Sequence, residues 1–220
     1  MWKIDDSNES SMGLATWTDA DSNELQWHFD VRGGHHGISL RAANCSEPCI
    51  QIVPVDDQTI SDATEQFVRG RQLHVSFPQQ SNRFGVRIVI EPIQCEEEFV
   101  VFEFTISIQT SLLDLHPMLD IVSKGKTTQN EKPSNGSPGV SIIESSNLTT
   151  AILLGQHDSP FTTDHSSETE VSLRLFGDFL EKGVIRKARP WFVVSTKPRD
   201  EISLVKLLEN LNDSPLPLTP

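Results

Sequence analysis

The chain has 220 residues, of which 36% are hydrophobic and 22% are charged, and its mean hydropathy is −0.29. This composition supplies enough apolar side chains for a sizeable core and excludes a wholly disordered chain. The formal net charge of −13 repels phosphate backbones, so we expect no nucleic-acid partner.

The sequence shows no sign of membrane insertion. No window approaches the roughly 18 apolar residues of a membrane-spanning helix, and Met1–Asp6 contains no apolar signal region. We therefore expect a cytoplasmic protein without a membrane partner, in which the three cysteines are reduced thiols. If the protein were exported, a disulfide between Cys45 and Cys49 would be the alternative.

The first predicted strands form a hairpin after a polar lead-in. Residues 1–13 are polar and acidic without periodicity, which predicts a flexible segment before a single domain over residues 14–212. Apolar and polar residues alternate over residues 24–32, as in a half-buried strand. Gly33-Gly34 then predicts a turn, and residues 38–42 predict the returning strand.

The most regular alternation runs from Glu97 to Gln109. Five apolar residues share one face there: Val100, Phe102, Phe104, Ile106 and Ile108. At about 3.3 Å per residue, the run predicts a strand about 40 Å long in a large sheet with one solvated face. Runs rich in Val, Ile, Phe and Thr between turn residues predict further strands at Cys49–Val55, Arg71–Phe77, Phe84–Ile93, Val140–Ile143, Leu148–Leu154, Val171–Phe176, Val184–Ala188 and Trp191–Ser195.

Two later segments differ from this strand pattern. Residues 124–138 have no apolar side chain, which predicts a mobile loop inserted within the domain. Glu201–Leu211 follows a capping residue, Asp200, and has leucines at helical spacing, which predicts a C-terminal helix. Residues 213–220 are expected to form a tail.

The whole pattern predicts an all-β fold, a large two-layer antiparallel β-sandwich of about ten to twelve strands with one C-terminal helix. A closed barrel is the structural alternative.

No motif in the sequence assigns a metal, a cofactor or a nucleophile. Seven histidines are present, but none has a recognised ligand spacing, and His35-His36 lie at the predicted turn. Asn135–Gly139 resembles a nucleophile elbow only superficially, because it lies in the polar loop. Both glycine-rich phosphate-binding motifs are also absent from the sequence, so we expect no metal and no cofactor.

Polar residues on the outer faces of successive predicted strands form the candidate ligand site. A sheet face of this kind can hold a sugar through planar hydrogen bonds, with an indole ring of Trp17 or Trp191 as an aromatic platform. The alternative is that a solvated sheet face is polar in any case. The candidate ligand-binding residues are His28, Asp30, His74, Arg87, Glu103, Gln109 and Trp191, with Glu91 on the same predicted surface.

The segment Glu181–Trp191 forms a basic island in an acidic protein, through Arg186, Lys187 and Arg189. These side chains can bind an anionic ligand or an acidic partner. Alternatively, they pair with neighbouring carboxylates or protect a sheet edge from strand addition.

Two stretches, Ser107–Pro117 and Phe179–Arg189, resemble segments of uncharacterised bacterial hypothetical proteins of similar length. That family has no assigned activity, so the resemblance implies no functional residue. Large bacterial β-sandwiches similar to the galactose-mutarotase type add a general association with carbohydrate, by analogy of fold.

Three functional hypotheses follow from the sequence. The first is a non-catalytic binding or accessory domain for carbohydrate or another small polar ligand. The second is a carbohydrate-active enzyme that uses a carboxylate and a histidine, with Glu103, His74 or His28 in acid–base roles. The third is a protein-interaction module whose C-terminal leucines form the docking surface. The sequence leaves the oligomeric state open.

Overall fold

The computed structural model describes residues 1–4, 13–19, 26–56, 58–80, 83–131, 139–145, 148–158, 161–197 and 201–214. These residues form seventeen strands and one helix, α1 (Glu201–Asp213). The strands are β1 (Trp2–Ile4), β2 (Leu14–Thr18), β3 (Gln26–Asp30), β4 (Ile38–Ala42), β5 (Ile50–Pro54), β6 (Glu65–Arg69), β7 (Gln72–Phe77), β8 (Gly85–Glu96), β9 (Phe99–Gln109), β10 (Met118–Lys124), β11 (Lys126–Glu131), β12 (Gly139–Glu144), β13 (Thr149–Leu154), β14 (Thr162–Asp164), β15 (Glu170–Phe176), β16 (Ile185–Ala188) and β17 (Trp191–Ser195).

The strands form two antiparallel sheets. Sheet 1 has the order β1-β2-β3-β4-β5-β10-β15-β14, and sheet 2 has the order β11-β12-β13-β17-β9-β8-β7-β6. Strand β16 lies beside the second half of β9, next to the segment that β17 pairs. Each described sheet has two edges and therefore remains open. The predicted all-β sandwich is confirmed, and the barrel alternative is wrong. The prediction of about ten to twelve strands is too low, because the described residues form seventeen.

The main core lies between the two sheets. Phe102 of β9 is at its centre, with ring centroids of Trp17, Trp27 and Phe29 at 5.5, 6.2 and 5.2 Å. All three partners belong to sheet 1, whereas Phe102 belongs to sheet 2. Edge-to-face contacts of this kind add to the free energy gained by burying large aromatic side chains. The inward face predicted for β9 is confirmed, because Phe102, Phe104, Ile106 and Ile108 are each at most 1% exposed.

Helix α1 covers one half of the outer face of sheet 2. Its Leu204, Leu207, Leu208 and Leu211 are buried in a second apolar cluster, together with residues of β9, β12, β13 and β17. The buried Arg189 caps the end of this helix, since its Nη2 donates to the carbonyl oxygens of Leu211 and Ser214, both at 2.9 Å. The predicted helix is confirmed, and Asp200 lies outside the described residues. Within the described part of the chain, no helix has the length and apolar character to cross a membrane.

Two segments predicted to be irregular contain strands. In the predicted lead-in, Trp2–Ile4 forms β1 against β2, and residues 5–12 lie outside the described residues. In the predicted loop, Lys126–Glu131 forms β11 against β12, and residues 132–138 lie outside the described residues. The loop prediction failed for β11 because main-chain hydrogen bonds, rather than apolar burial, hold this edge strand.

Candidate functional site

The other half of the outer face of sheet 2 forms a concave surface that α1 does not cover. Strands β6 to β9 and β16 line this surface, here called the groove, and it encloses about 520 Å³. This volume falls within the range of about 300–1,000 Å³ that is common for small-molecule sites. The polar and charged side chains that line the groove include Arg69, Gln72, His74, Arg87, Glu91, Glu103, Gln109 and Lys187.

The strand register arranges the polar side chains of the groove in rows across the sheet. One row runs Arg69, Gln72, Glu91, Glu103 and Trp191, from β6 to β17. The next row along the strands contains His74 and Thr105, with Val89 between them.

A further row across the sheet is basic. It runs Ser76, Arg87, Ser107 and Lys187, from β7 to β16. The row of Glu91 and Glu103 forms an acidic end, although it also contains Arg69, and the row of Arg87 and Lys187 forms a basic end, although Ser76 donates there to Glu65 of β6. His74 lies between the two rows.

His74 is buried although it lies on the outer face. Its side chain stacks on Phe67 of β6, with ring centroids 4.7 Å apart and an interplanar angle of 3°. The residue is 7% exposed, yet neither ring nitrogen has a hydrogen-bond partner among the described residues. Burial lowers the pKa of His74, and the charges of Arg87 and Arg69 lower it further against the opposing effect of Glu65. At neutral pH the groove thus contains an uncharged imidazole with an unused donor and an unused acceptor.

Two carboxylates form the acidic end of the groove. Glu91 and Glu103 are cross-strand partners on β8 and β9. Gln72 Nε2 donates to Glu91 Oε2 at 2.7 Å, and Trp191 Nε1 donates to Glu103 Oε2 at 2.8 Å. Each carboxylate is thus oriented by one neutral donor and keeps further lone pairs for a ligand.

The basic end of the groove contains Arg87 and Lys187. They lie in the same row on either side of Ser107, whose short side chain leaves space between them. Arg87 Nε is buried and has no hydrogen-bond partner within the described ranges. Burial lowers the pKa of Lys187, and the charge of Arg87 lowers it further.

The structure brings four of the predicted ligand-binding residues together, namely His74, Arg87, Glu103 and Gln109, and Glu91 joins them. His28 and Asp30 do not belong to this site, because they lie on the outer face of sheet 1, across the sandwich. There His28 is 3.3 Å from the hydroxyl of Thr16, and Asp30 is paired with Arg32. Sequence alternation assigned these residues to outer faces but could not say to which sheet each strand belongs.

The predicted aromatic platform does not exist. Trp17 is 5% exposed in the main core, and Trp191 is 6% exposed in the cluster under α1. Neither indole presents a ring face to a ligand. Trp191 instead orients Glu103 through its N–H group.

The basic island separates into three environments. Lys187 lines the groove, whereas Arg189 is buried at the end of α1. Arg186 donates to the carbonyl oxygen of Phe179 at 2.6 Å and lies over the ring of Phe161. Of these three cations only Lys187 lines the groove, because Arg186 is its neighbour on β16 and points to the opposite face, while Arg189 is buried at the end of α1.

Three features of the groove were not predicted from the sequence. One is strand β6, which supplies Arg69 and the stacking partner Phe67. The others are the pairing of Gln72 with Glu91 and the placement of Lys187 in the same row as Arg87. The usable signal was the pairing of β7, β8 and β9 as consecutive hairpins. The alternation of apolar and polar residues in these strands identifies the side chains that face outward. Counting residues from the connecting turns would then have paired these side chains across the sheet.

A second cavity, of about 590 Å³, lies beside the loop that contains Cys45 and Cys49. Both cysteines are free thiols, and burial raises the pKa of Cys49 to about 12. Such a thiol is a poor nucleophile at neutral pH.

No set of three or more His, Cys, Asp or Glu side chains in the described ranges is grouped as a metal site would require.

Comparison with the models of known protein families finds no match for this chain, and comparison with curated proteins finds no significantly similar sequence.

Proposed function

We propose that this protein is a non-catalytic binding or accessory module, and that it holds a carbohydrate or another small polar ligand in the groove. The observation that carries the proposal is His74, a buried neutral imidazole with both nitrogens unsatisfied beside a cavity. A buried polar group without a partner costs about 1–3 kcal/mol. A ligand that supplies the missing hydrogen bonds would recover that free energy.

Hydroxyl groups match this set of side chains well. A sugar hydroxyl both donates and accepts, so two hydroxyls of one sugar can serve the donor nitrogen and the acceptor nitrogen of the imidazole. Glu91, Glu103 and Gln109 add acceptors and donors around it, while Val89 provides an apolar contact at the floor. A few fixed polar groups around an apolar floor are typical of small-molecule sites.

The experiment is a binding screen with a matched pair of histidine variants. The protein is titrated with mono- and oligosaccharides by isothermal calorimetry, and hits are repeated with His74→Ala and His28→Ala. Both histidines lie on outer sheet faces, but only His74 lines the groove. We expect at least one saccharide to bind, with affinity lost in His74→Ala and kept in His28→Ala. Equal losses in the two variants, or no binding by any saccharide or other polar compound, would contradict the proposal.

A second candidate function, a glycoside hydrolase, is favoured by one observation. The carboxylates of Glu91 and Glu103 face the groove from directly paired positions, and two carboxyl groups are the usual machinery of glycoside hydrolysis. The carboxylate–histidine pair expected from the sequence is not formed, because neither nitrogen of His74 has a partner in the described part of the chain. Release of nitrophenol from aryl glycosides, abolished by Glu103→Gln but not by Glu47→Gln, would select the enzyme over the binding module.

The interaction-module hypothesis loses its proposed surface. It required the leucines of α1 to be available, but Leu204, Leu207, Leu208 and Leu211 are 1–8% exposed against sheet 2. These leucines attach α1 to the outer face of sheet 2.

A further inference from the structure

We infer that the groove selects an amino sugar, bound with its ammonium group between Glu91 and Glu103 and with neighbouring hydroxyls beside His74. This inference rests on the proposed binding function of the groove and assigns the chemical class of its ligand. An ammonium group is a compact charge that donates up to three hydrogen bonds.

The first support is the position of the two carboxylates. Glu91 and Glu103 are directly opposite each other on β8 and β9, so their Cβ atoms lie about 4.5–5.5 Å apart. Both side chains line the groove, and both are half-buried. Like charges that face each other on neighbouring strands are destabilising, and a cation between them reverses the sign of the interaction. The pair therefore describes a position for one positive charge.

The second support is that neutral donors hold these carboxylates. Gln72 Nε2 donates to Oε2 of Glu91, and Trp191 Nε1 donates to Oε2 of Glu103. Neither Oε1 atom has a hydrogen-bond partner within the described residues, and none of the described ion pairs involves either glutamate. The exposed Arg69 belongs to the same row, but Gln72 lies between it and Glu91. Two carboxylate oxygens thus remain available to a cationic group of a ligand.

The third support is His74, which lies in the next row along the strands. The residue is 7% exposed, and both ring nitrogens lack a partner in the described part of the chain. Burial, followed by the charges of Arg87 and Arg69, lowers the pKa of His74, so at neutral pH the imidazole does not repel an ammonium group. A buried donor and a buried acceptor beside the carboxylates require polar groups from a ligand. An amino sugar supplies hydroxyls to the imidazole and a positive charge to the carboxylates.

The spacing along the strands fits one sugar ring. Gln72 and His74 are two residues apart on the outer face of β7, which corresponds to about 7 Å. A pyranose ring with its substituents reaches from the carboxylate row to the imidazole. Arg87 is four residues from Glu91 along β8, or about 13 Å, so the basic end of the groove is distant from the proposed ammonium position.

The test compares three monosaccharides that differ at one carbon, namely glucosamine, glucose and N-acetylglucosamine. Affinities are measured at neutral pH by NMR titration of the isotope-labelled protein, for the parent, Glu91→Gln, Glu103→Gln and the control Glu144→Gln. Glu144 is an exposed residue beside the second cavity, so the control removes one negative charge outside the groove. Methylammonium supplies the charge without the hydroxyls. Circular dichroism and thermal melting check that each variant is folded.

We expect glucosamine to bind about tenfold more tightly than glucose or N-acetylglucosamine, which corresponds to one good charge-assisted contact. The preference should weaken with added salt, fall to about twofold or less in Glu91→Gln and Glu103→Gln, and remain in Glu144→Gln. Methylammonium should bind more weakly than glucosamine. Both groove variants should melt no lower than the parent, because each removes one of two facing like charges.

Equal binding of glucosamine and glucose would overturn this inference and leave the proposed binding function intact. A preference that survives in both groove variants would overturn the assigned position of the ammonium group. A lower melting temperature of both variants would also overturn it, because the carboxylates would then serve the fold. Methylammonium binding as tightly as glucosamine would overturn the assignment to a sugar, as would a failure of glucosamine to bind while another saccharide binds. Failure of every compound in this test and in the saccharide screen would contradict the proposed function itself.

Discussion

His74 combines deep burial with unused hydrogen-bonding capacity, which is an arrangement that folding alone does not favour. Its ring stacks on Phe67, but its two nitrogens lose water without gaining a partner in the described residues. Residues kept at a cost to stability are common where a ligand binds. Stability and binding should therefore respond in opposite ways to an apolar replacement.

We predict that His74→Leu leaves the protein as stable as the parent or up to about 1 kcal/mol more stable, because it removes a buried polar group without creating a large cavity. Urea unfolding followed by tryptophan fluorescence measures the change. The same variant should lose saccharide binding. A loss of more than about 2 kcal/mol of stability would mean that the imidazole has partners that support the fold.

Asp158 provides a prediction about pH. It is 4% exposed, and burial raises its pKa to about 6 against the opposing effects of Arg189 and His157. The folded chain therefore binds this proton more tightly than the unfolded chain does, whose carboxyl titrates near its ordinary value of 3.8. For this group the free energy of unfolding rises as the pH falls from about 6 toward 4 and is lowest above pH 6.

Asp158→Asn should remove this dependence. We expect the stability of the variant relative to the parent to be greater at pH 7.5 than at pH 4.5 by on the order of 2 kcal/mol. Denaturant unfolding of both proteins at both pH values gives the difference, and the other titrating groups cancel in the comparison. An identical difference at the two pH values would show that Asp158 has an ordinary pKa in the folded protein.

At the scale of elements, β9 shows how one strand serves the core and the groove. Its even-numbered residues from Val100 to Ile108 face sheet 1, while Glu103, Thr105, Ser107 and Gln109 face outward into the groove. Period-two alternation was strong enough to assign the inner face from the sequence. The same alternation could not show that Val101 lies under a helix, because that contact depends on residues about 100 positions further along the chain.

We predict that Phe104→Ala lowers the free energy of unfolding by about 3–5 kcal/mol, as for other buried aromatic side chains. The ring is 1% exposed and lies edge-to-face with Phe192 at 4.7 Å, so its removal leaves a cavity in the main core. Ser107→Ala on the outer face of the same strand is the control, and we expect a change below about 1 kcal/mol. Similar losses in the two variants would contradict the assigned faces of β9.

Most of the strands that were not predicted from the sequence lie at sheet edges and lack a clear alternation of apolar and polar residues. Strands β6, β11 and β14 are short or polar and lie at or near sheet edges, where main-chain pairing substitutes for an apolar face. Strand β10 is different, because Leu119 and Ile121 alternate with Asp120 and Val122 and both are fully buried. That alternation was present in the sequence, although no strand was predicted there.

At the scale of the whole molecule, the two sheets share one core. Buried residues of both sheets form a single cluster that extends from Trp2 to Val194, and the aromatic contacts of Phe102 cross between the layers. A domain over residues 14–212 with no separable half therefore stays our prediction. The groove itself lies within sheet 2, with its walls supplied by consecutive hairpins.

Calorimetry should accordingly show a single unfolding transition whose calorimetric and van't Hoff enthalpies agree. A protease cut between Glu131 and Gly139 should leave the two fragments associated, because β11 and β12 on either side of the cut pair in the same sheet. Gel filtration of the cleaved protein under native conditions measures this. Two transitions, or fragments that separate and stay folded, would instead indicate two domains.

The alternation of β9 also affects how the outer face of sheet 2 can vary by mutation. A substitution at an odd-numbered position between Glu103 and Gln109 alters what the groove offers a ligand, whereas its even-numbered neighbours keep the layers together. Under the proposed function, ligand recognition and folding depend on alternating positions of the same strand. A library randomised only at the outward positions should give many folded proteins with new preferences, which makes this sheet face a practical scaffold for selecting binders.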